Sequence, residues 1–482
     1  MTNEHQADPI VETSGDQVVA HSWSARDTFV PRAIVRPMQR LMDLEVSTAI
    51  AVLAAAVLAL VIANTGLQQD YESFWTSELH LTVGSFDVLH LSLRDVVNDG
   101  LMAIFFMVVA LEIKREWLFG QLRDRRAAAT PIIAALGGMI VPAGIYAMVN
   151  AGGPASHGWG IPMATDIAFA VAVLAAVPGV PAGARLFLLT LAIADDLGAI
   201  VVIAIFYAHG LSFAWLAAAL GFIALTAVLA RMRVRSVGAF ALVGLLAWFC
   251  MHESGVHATI AGVAMGFLTP AWSLLAPQDY PKVARGLLGT IEERLGDGRL
   301  THDEHALNHG TFRELARLST ETQSPLDRME HHLSTWSAFV IVPIFAFANA
   351  GVVIPRTPVG DWLTDPVVVG VGVGLVLGKA IGVYAAAALA TRLGLGTLPE
   401  GMTRTHLLGV AVCAGVGFTV AMFVANLAFP QEPHFAESAK LGIIIGSVVA
   451  GILGYLLLRF GSGRPAPAAP AAPAAPTPEP AV

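Results

Sequence analysis

The chain has 482 residues, of which 55% are hydrophobic and 13% charged. Soluble domains carry about 25% charged residues, and aqueous disorder needs low hydrophobicity with high charge, so both are excluded for most of the chain. The 28 Lys and Arg against 36 Asp and Glu give a net charge of −8, which argues against nucleic acid as a partner. Two cysteines, Cys250 and Cys413, both in apolar runs, exclude a disulfide-stapled fold. The composition is that of an all-α polytopic membrane protein.

Residues 1–43 read as a polar cytoplasmic tail rather than a cleavable signal. Their basic residues, Arg26, Arg32, Arg36 and Arg40, come late, and the first apolar run starts near Leu44. A bilayer core of about 30 Å needs about 20 helical residues. Twelve candidate spans follow: 44–66, 96–113, 127–149, 159–177, 185–207, 212–230, 237–251, 254–272, 335–353, 366–389, 405–428 and 438–458. With the N-terminus in the cytoplasm, the outside segments hold only Arg94, Arg356 and Lys440, and Lys379 falls within a span. The remaining Lys and Arg all lie inside. That bias fits an even number of spans with both termini cytoplasmic.

Three other regions stand out along the chain. Residues 67–95 form an external loop, in which 78–93 alternate around Gly84-Ser85 and predict a β-hairpin. Its free edges could pair with a second copy, giving a homodimer. Residues 273–334 form a long, charged, His-rich cytoplasmic loop. Residues 459–482 read as an extended Pro/Ala-rich cytoplasmic tail. The transporter domain is thus expected over 44–458.

An ionisable group at bilayer depth costs at least ~2.5–3.5 kcal/mol on insertion scales, so such residues are functional candidates. Asp166, Asp195, Asp196 and Lys379 sit deep, while Asp99 and Glu112 lie nearer the ends of the second span. Asp195-Asp196 has about ten apolar residues on each side. Two adjacent carboxylates cannot both be charged cheaply in a low dielectric. The pair can hold protons, or a hard cation that prefers oxygen ligands, but not easily both. That exclusion is a basis for exchange between cation and protons. Asp166 follows Pro162 and Thr165, helix-start signals inside an apolar span. They predict a broken membrane helix, whose free N–H groups Asp166 would neutralise. Lys379 is too central to snorkel and needs a carboxylate or carbonyl partner.

Gly374 to Lys379 does not complete a phosphate loop, because Ala380 stands where Ser or Thr is required. No nucleotide site is visible, so transport is expected to be gradient-driven without a cofactor. His302, His305 and His309 share a helix face, but nothing completes a metal site around them. An intramembrane aspartyl protease would need its two acids on separate helices. A cation channel would not need a buried Lys competing with its cation.

Eight stretches carry a family resemblance: Asn98–Phe106, Leu111–Glu116, Ala164–Ala170, Ala192–Ile200, Gly255–Gly262, Pro343–Gly351, Leu377–Lys379 and Gly415–Thr419. In this order, over about 44–458, the chain resembles the NhaA family of bacterial sodium/proton antiporters. The resemblance implies twelve transmembrane helices in inverted-topology repeats, with spans four and eleven broken and crossing in mid-membrane. It implies extrusion of Na⁺, and of Li⁺, in exchange for external H⁺ across the inner membrane, electrogenic and regulated by pH. Asp196 matches the principal cation ligand, with Asp195 and Thr165 beside it and Lys379 paired to Asp195. Asp166 and Lys379 match charges that compensate the half-helix dipoles. Glu112, Glu116, His257, Glu330 and His331 match positions tied to pH response, and Asp99 marks entry at the second span. Asp327 departs from a basic residue expected before the Glu-His pair, and Ala380 from a Pro expected after the Lys.

Overall fold

A computed structural model describes residues 46–83, 86–208, 210–234, 236–295, 302–354 and 358–461. The N-terminal tail 1–43, the turn Gly84-Ser85 and the Pro/Ala tail beyond residue 461 lie outside the described residues.

Helix α1 (Ser47–Ala63) turns by 117° into the short α2 (Gln68–Trp75). Strands β1 (Glu78–Val83) and β2 (Phe86–Ser92) follow. They pair antiparallel from Glu78↔Ser92, with an irregularity between Leu81 and Thr82. The predicted hairpin is therefore present. Its end is also a helix start: Ser92 and Asp95 form a reciprocal capping box, which launches α3 (Leu93–Leu118). The first turns of α3, Val96–Leu101, are π-helical.

Asp124 caps α4 (Arg125–Val149). The next span is broken. A 3₁₀ segment, Pro154–Met163, meets α5 (Ile167–Ala175) at 44° across residues 164–166. Helices α6 (Ala182–Phe206), α7 (Phe213–Arg231), α8 (Val237–Glu253) and α9 (Thr259–Leu268) follow. The long loop is helical too, with α10 (Tyr280–Leu295) and α11 (His302–Thr322). Ser324 then caps α12 (Pro325–Asn349), with Pro325 at its first position. Asp365 and Pro366 do the same for α13 (Pro366–Arg392), which contains a π-helical stretch at Gly374–Gly378. A second broken span joins α14 (Arg404–Cys413) to α15 (Phe418–Ala428) at 46°. The last helix is α16 (Pro433–Gly461).

Seven helices among the described residues are long and apolar enough to cross a membrane, or up to ten when each bent pair is one span. The predicted spans 237–251 and 254–272 form apolar helices of 17 and 10 residues. The second is short because Gly255 takes φ +78°, a left-handed turn that delays the helix to Thr259. The predicted span 335–353 begins ten residues early instead, extended by the capped stretch Pro325–Trp336. Large apolar side chains point outward along the spans: Ile140 is 68% exposed and Ile205 65%. In water that would be costly; in a bilayer it is the lipid face.

The helices pack in two groups. One contains α1, α3, α7, α8, α9 and α12; the other contains α4, α5, α6 and α13–α16. Contacts between groups are sparse and run mainly through α3 with α6, α12 with α15 and α1 with α5. A close crossing inside the second group joins α4 and α13. A Cβ on Gly382 would lie 2.1 Å from the Gly137 carbonyl oxygen, and one on Gly137 would lie 2.3 Å from the Gly382 oxygen. Only glycine permits that approach, and it brings Lys379, one turn before Gly382, against α4 and into the group's interior.

Candidate functional site

The site is built where the two breaks meet. Chain breaks inside a membrane leave N–H and C=O groups without helical partners, and these must be satisfied by protein. Here each break serves the other. The Asp166 N–H donates to the Val416 carbonyl at 2.6 Å, and Thr165 Oγ1 donates to the Ala414 carbonyl at 2.9 Å. The Asp166 carboxylate caps two helix starts at once. Its Oδ1 accepts from Phe169 N in α5, while its Oδ2 accepts from Thr419 N (3.0 Å) and Thr419 Oγ1 (2.6 Å) in α15. Gly417 N donates to Ser447 Oγ from α16.

Beside this junction runs α6, unbroken, with Asp195 and Asp196 in its middle. Both are buried, at 0% and 3% exposure. Lys379 reaches in from α13, itself fully enclosed. Its Nζ lies 2.6 Å from Asp195 Oδ2 and 2.9 Å from Thr165 Oγ1. The ammonium is thus bound to one acid of the pair and, through the Thr165 hydroxyl, to the end of α14. Asp196 forms no ion pair among the described residues. Asp195 Oδ1 and Asp196 Oδ1 are buried without a hydrogen-bond donor there. Buried carboxylate oxygens lacking donors are the atoms a proton or a hard cation can satisfy.

Other candidates sort to the two ends of α3. At one end, Arg115 Nη1 pairs with Glu330 Oε1 at 2.5 Å, and Lys114 Nζ binds the carbonyls of Phe267 and Thr269 at the end of α9. Glu112 and Glu116 lie on the same turns of α3, and the exposed His331 follows Glu330. At the other end, Asp99 Oδ2 lies 3.4 Å from His252 Nδ1, and Trp248 Nε1 donates to the Asp99 carbonyl. His257 belongs to this second end: its Nε2 is 2.6 Å from the Tyr207 carbonyl, and it lines the same cavity as Asp99. It is therefore separated from the other four residues tied by resemblance to pH response. No group of three metal-ligating side chains occurs among the described residues.

The model of the family described as Na⁺/H⁺ antiporter 1 matches residues 39–458. The chain belongs to the NhaA family of Na⁺/H⁺ antiporters. A relative from Anaeromyxobacter sp. (strain Fw109-5), a Na⁺/H⁺ antiporter NhaA, is 44% identical over 440 residues, covering 90% of this chain and 94% of that protein. An NhaA antiporter from Helicobacter pylori (strain G27) is 44% identical over 406 residues, covering 84% and 90%. One from Oleidesulfovibrio alaskensis is 44% identical over 431 residues, covering 88% and 94%. Membership in the NhaA family makes this a multi-pass membrane transporter that exchanges Na⁺ for H⁺, and not an enzyme. It also leaves the channel and protease readings without support.

Sequence reasoning missed Thr419, which holds Asp166, and three asparagines, Asn98, Asn349 and Asn426, which bond to one another across three helices. Thr419, Asn98 and Asn349 stand inside the stretches that carry the resemblance; Asn426 does not. The signal for them in the sequence is a neutral polar side chain inside an apolar span.

Proposed function

We propose that Asp196 is the principal cation ligand, with Asp195 and Thr165 completing the site, and that one site serves Na⁺ and H⁺ in turn. The observation that carries this reading is the asymmetry of the pair. Asp195 is paired with Lys379 at 2.6 Å, while Asp196, whose Oδ1 like that of Asp195 is buried without a donor, forms no ion pair among the described residues. A cation that enters takes the carboxylates in their charged form; protons that enter displace it. Lys379 competes with the cation for Asp195, so its hold on that acid is part of the exchange. Asp166 compensates the positive starts of α5 and α15, and Lys379 acts on the side of the α14 end.

The same reading has the protein extrude Na⁺, and Li⁺, in exchange for external H⁺. Two carboxylates and a lysine can move more protons than cations per cycle, which makes exchange electrogenic. Glu112, Glu116, Glu330 and His331 at one end of α3, and His257 at the other, adjust the response to pH, and Asp99 marks the entry side. Counting α8 and α9 as spans brings the three bent pairs and seven long helices to twelve, the number in which inverted repeats would close. The strong inside bias of Lys and Arg favours cytoplasmic termini in a bacterial inner membrane. On that reading 1–43 and 459–482 are cytoplasmic tails flanking a transporter domain over 44–458. The hairpin 78–93 faces outward, where its free edge joins two protomers. Exchange assayed in everted vesicles tests the site: Asp196→Asn should insert in the membrane normally yet give no Na⁺-driven proton movement. Retained exchange would falsify the assignment.

A further inference from the structure

The two helix groups part on the side that carries the hairpin, and the gap is a cavity of about 390 Å³. Both groups wall it: Asn98, Asp99 and Asn349 from one, Phe423, Asn426 and Lys440 from the other. The acid pair does not line it. A chain of amides crosses its floor. Asn349 Nδ2 donates to Asn98 Oδ1 at 2.8 Å and to the Phe345 carbonyl at 3.0 Å. Both amide hydrogens are then used, which fixes the orientation of the group and leaves Asn349 Oδ1 as an acceptor. Asn426 Nδ2 donates to it at 2.7 Å.

These bonds differ in what they join. Those made by the Asn349 amide hydrogens stay within one packing group, linking α12 to α3 and to itself. The bond from Asn426 on α15 crosses to the other group. One turn earlier on the same face of α15, Phe423 is fully buried, 5.3 Å from Phe106 and 6.3 Å from Phe345 by ring centroids. Both of those rings belong to the opposite group. The contact of α15 with the opposite group thus includes one hydrogen bond facing the cavity and the buried Phe423 ring packed on Phe106 and Phe345.

We propose that Asn426 is a positioning residue for exchange: its hydrogen bond to Asn349 is a latch between the two helix groups that closes the hairpin-side cavity to the acid pair. In the closed arrangement the two amides satisfy each other. When the groups separate, water in the cavity takes over the freed donor of Asn426 and the freed acceptor of Asn349. The bias toward closure is then that of one neutral hydrogen bond, about fivefold in population. A bias of that size holds the gate and still releases it in every cycle.

The proposal rests on the acid pair being the transported-ion site, and the two fail differently. Loss of that site, as in Asp196→Asn, removes exchange from both faces. Loss of the latch changes only the balance between faces. The test is radiolabelled Na⁺ uptake into right-side-out and everted vesicles, giving an apparent KM for Na⁺ at each face. Asn426→Leu keeps the volume and removes the donor. It should lower the KM at the hairpin face relative to the opposite face by about fivefold. Adding Asn349→Ala should shift the ratio no further, since the bond that Asn349 makes to Asn426 across the groups is already lost and its other two stay within one group. If Asn426→Leu does not reach the membrane, Asn426→Ala carries the same expectation. An unchanged ratio of the two KM values, or an equal change at both faces, overturns the latch.

Discussion

Lys379 Nζ lies 2.6 Å from Asp195 Oδ2, with both side chains fully enclosed by protein. An ion pair without access to water is held less by net attraction than by the cost of breaking it: removing one partner strands the other charge. Lys379→Ala should therefore lower stability by about 3–5 kcal/mol. Adding Asp195→Asn should recover part of the loss, because a neutral amide needs no counter-charge. Thermal melts of the two single variants and the double variant in detergent form a cycle that measures this coupling. Simple additivity would mean that the two residues are not partners, and that Lys379 acts on the broken helices alone.

Thr419 is expected to matter more than its size suggests. Its hydroxyl bonds a buried carboxylate, Asp166, that also caps α5. Hydrogen bonds to charged groups contribute about 1.5–3 kcal/mol, so Thr419→Val should depress the melting temperature clearly. Thr190→Val, which removes only a bond to the Leu186 carbonyl one turn back in the same helix, should do little. Equal effects of the two substitutions would contradict the view that Asp166 ties the breaks together.

The glycine crossing gives a paired test. Gly382→Ala places a methyl group 2.1 Å from the Gly137 carbonyl oxygen, so α4 and α13 must part. Overpacking of this kind costs about 1–3 kcal/mol, and here it also moves Lys379. Gly144→Ala, on the same α4, meets nothing within 4 Å and should be silent. Na⁺/H⁺ exchange and yield of folded protein in the two variants provide the comparison; a neutral Gly382→Ala would show that the crossing does not position the lysine.

Much of this arrangement is legible in the sequence because the bilayer simplifies it. Long apolar runs and the charges between them predict most spans, and the alternation around Gly84-Ser85 predicts the hairpin. Asp195, Asp196, Asp166 and Lys379 stand out because a charge at bilayer depth is costly and rarely incidental. What the sequence hides is partnership. Nothing local says that Lys379 reaches Asp195, 184 positions away, or that Thr419 and Asp166 meet across 253. The asparagine chain is hidden for another reason. A neutral amide in an apolar run carries little cost by itself, and its meaning appears only when three helices bring Asn98, Asn349 and Asn426 together. Helix ends depart from the apolar runs where local backbone signals decide them: Ser324 starts α12 well before its apolar run, and the left-handed turn at Gly255 delays α9.

The hairpin supplies a prediction about assembly. Its strands β1 and β2 form a two-stranded sheet, and no further strand among the described residues covers their outer edges. Such edges recruit strands from elsewhere. Removing residues 78–92 and closing the gap with a short polar linker should give monomers that still exchange Na⁺ for H⁺. Light scattering of the purified variant reads the mass directly, and a dimer that survives the deletion places the interface on other elements.

The proposed competition of cation and protons for the Asp195–Asp196 pair is tested most directly by proton release on binding. Purified protein in weakly buffered detergent solution at alkaline pH is given a pulse of NaCl, and the pH is followed with an indicator dye. The unaltered protein should give an acid pulse that saturates with Na⁺, none with choline chloride, and Asp196→Asn should give none. A saturable Na⁺-induced pulse of the same size from folded Asp196→Asn would contradict the competition, because the protons would then be leaving from somewhere else.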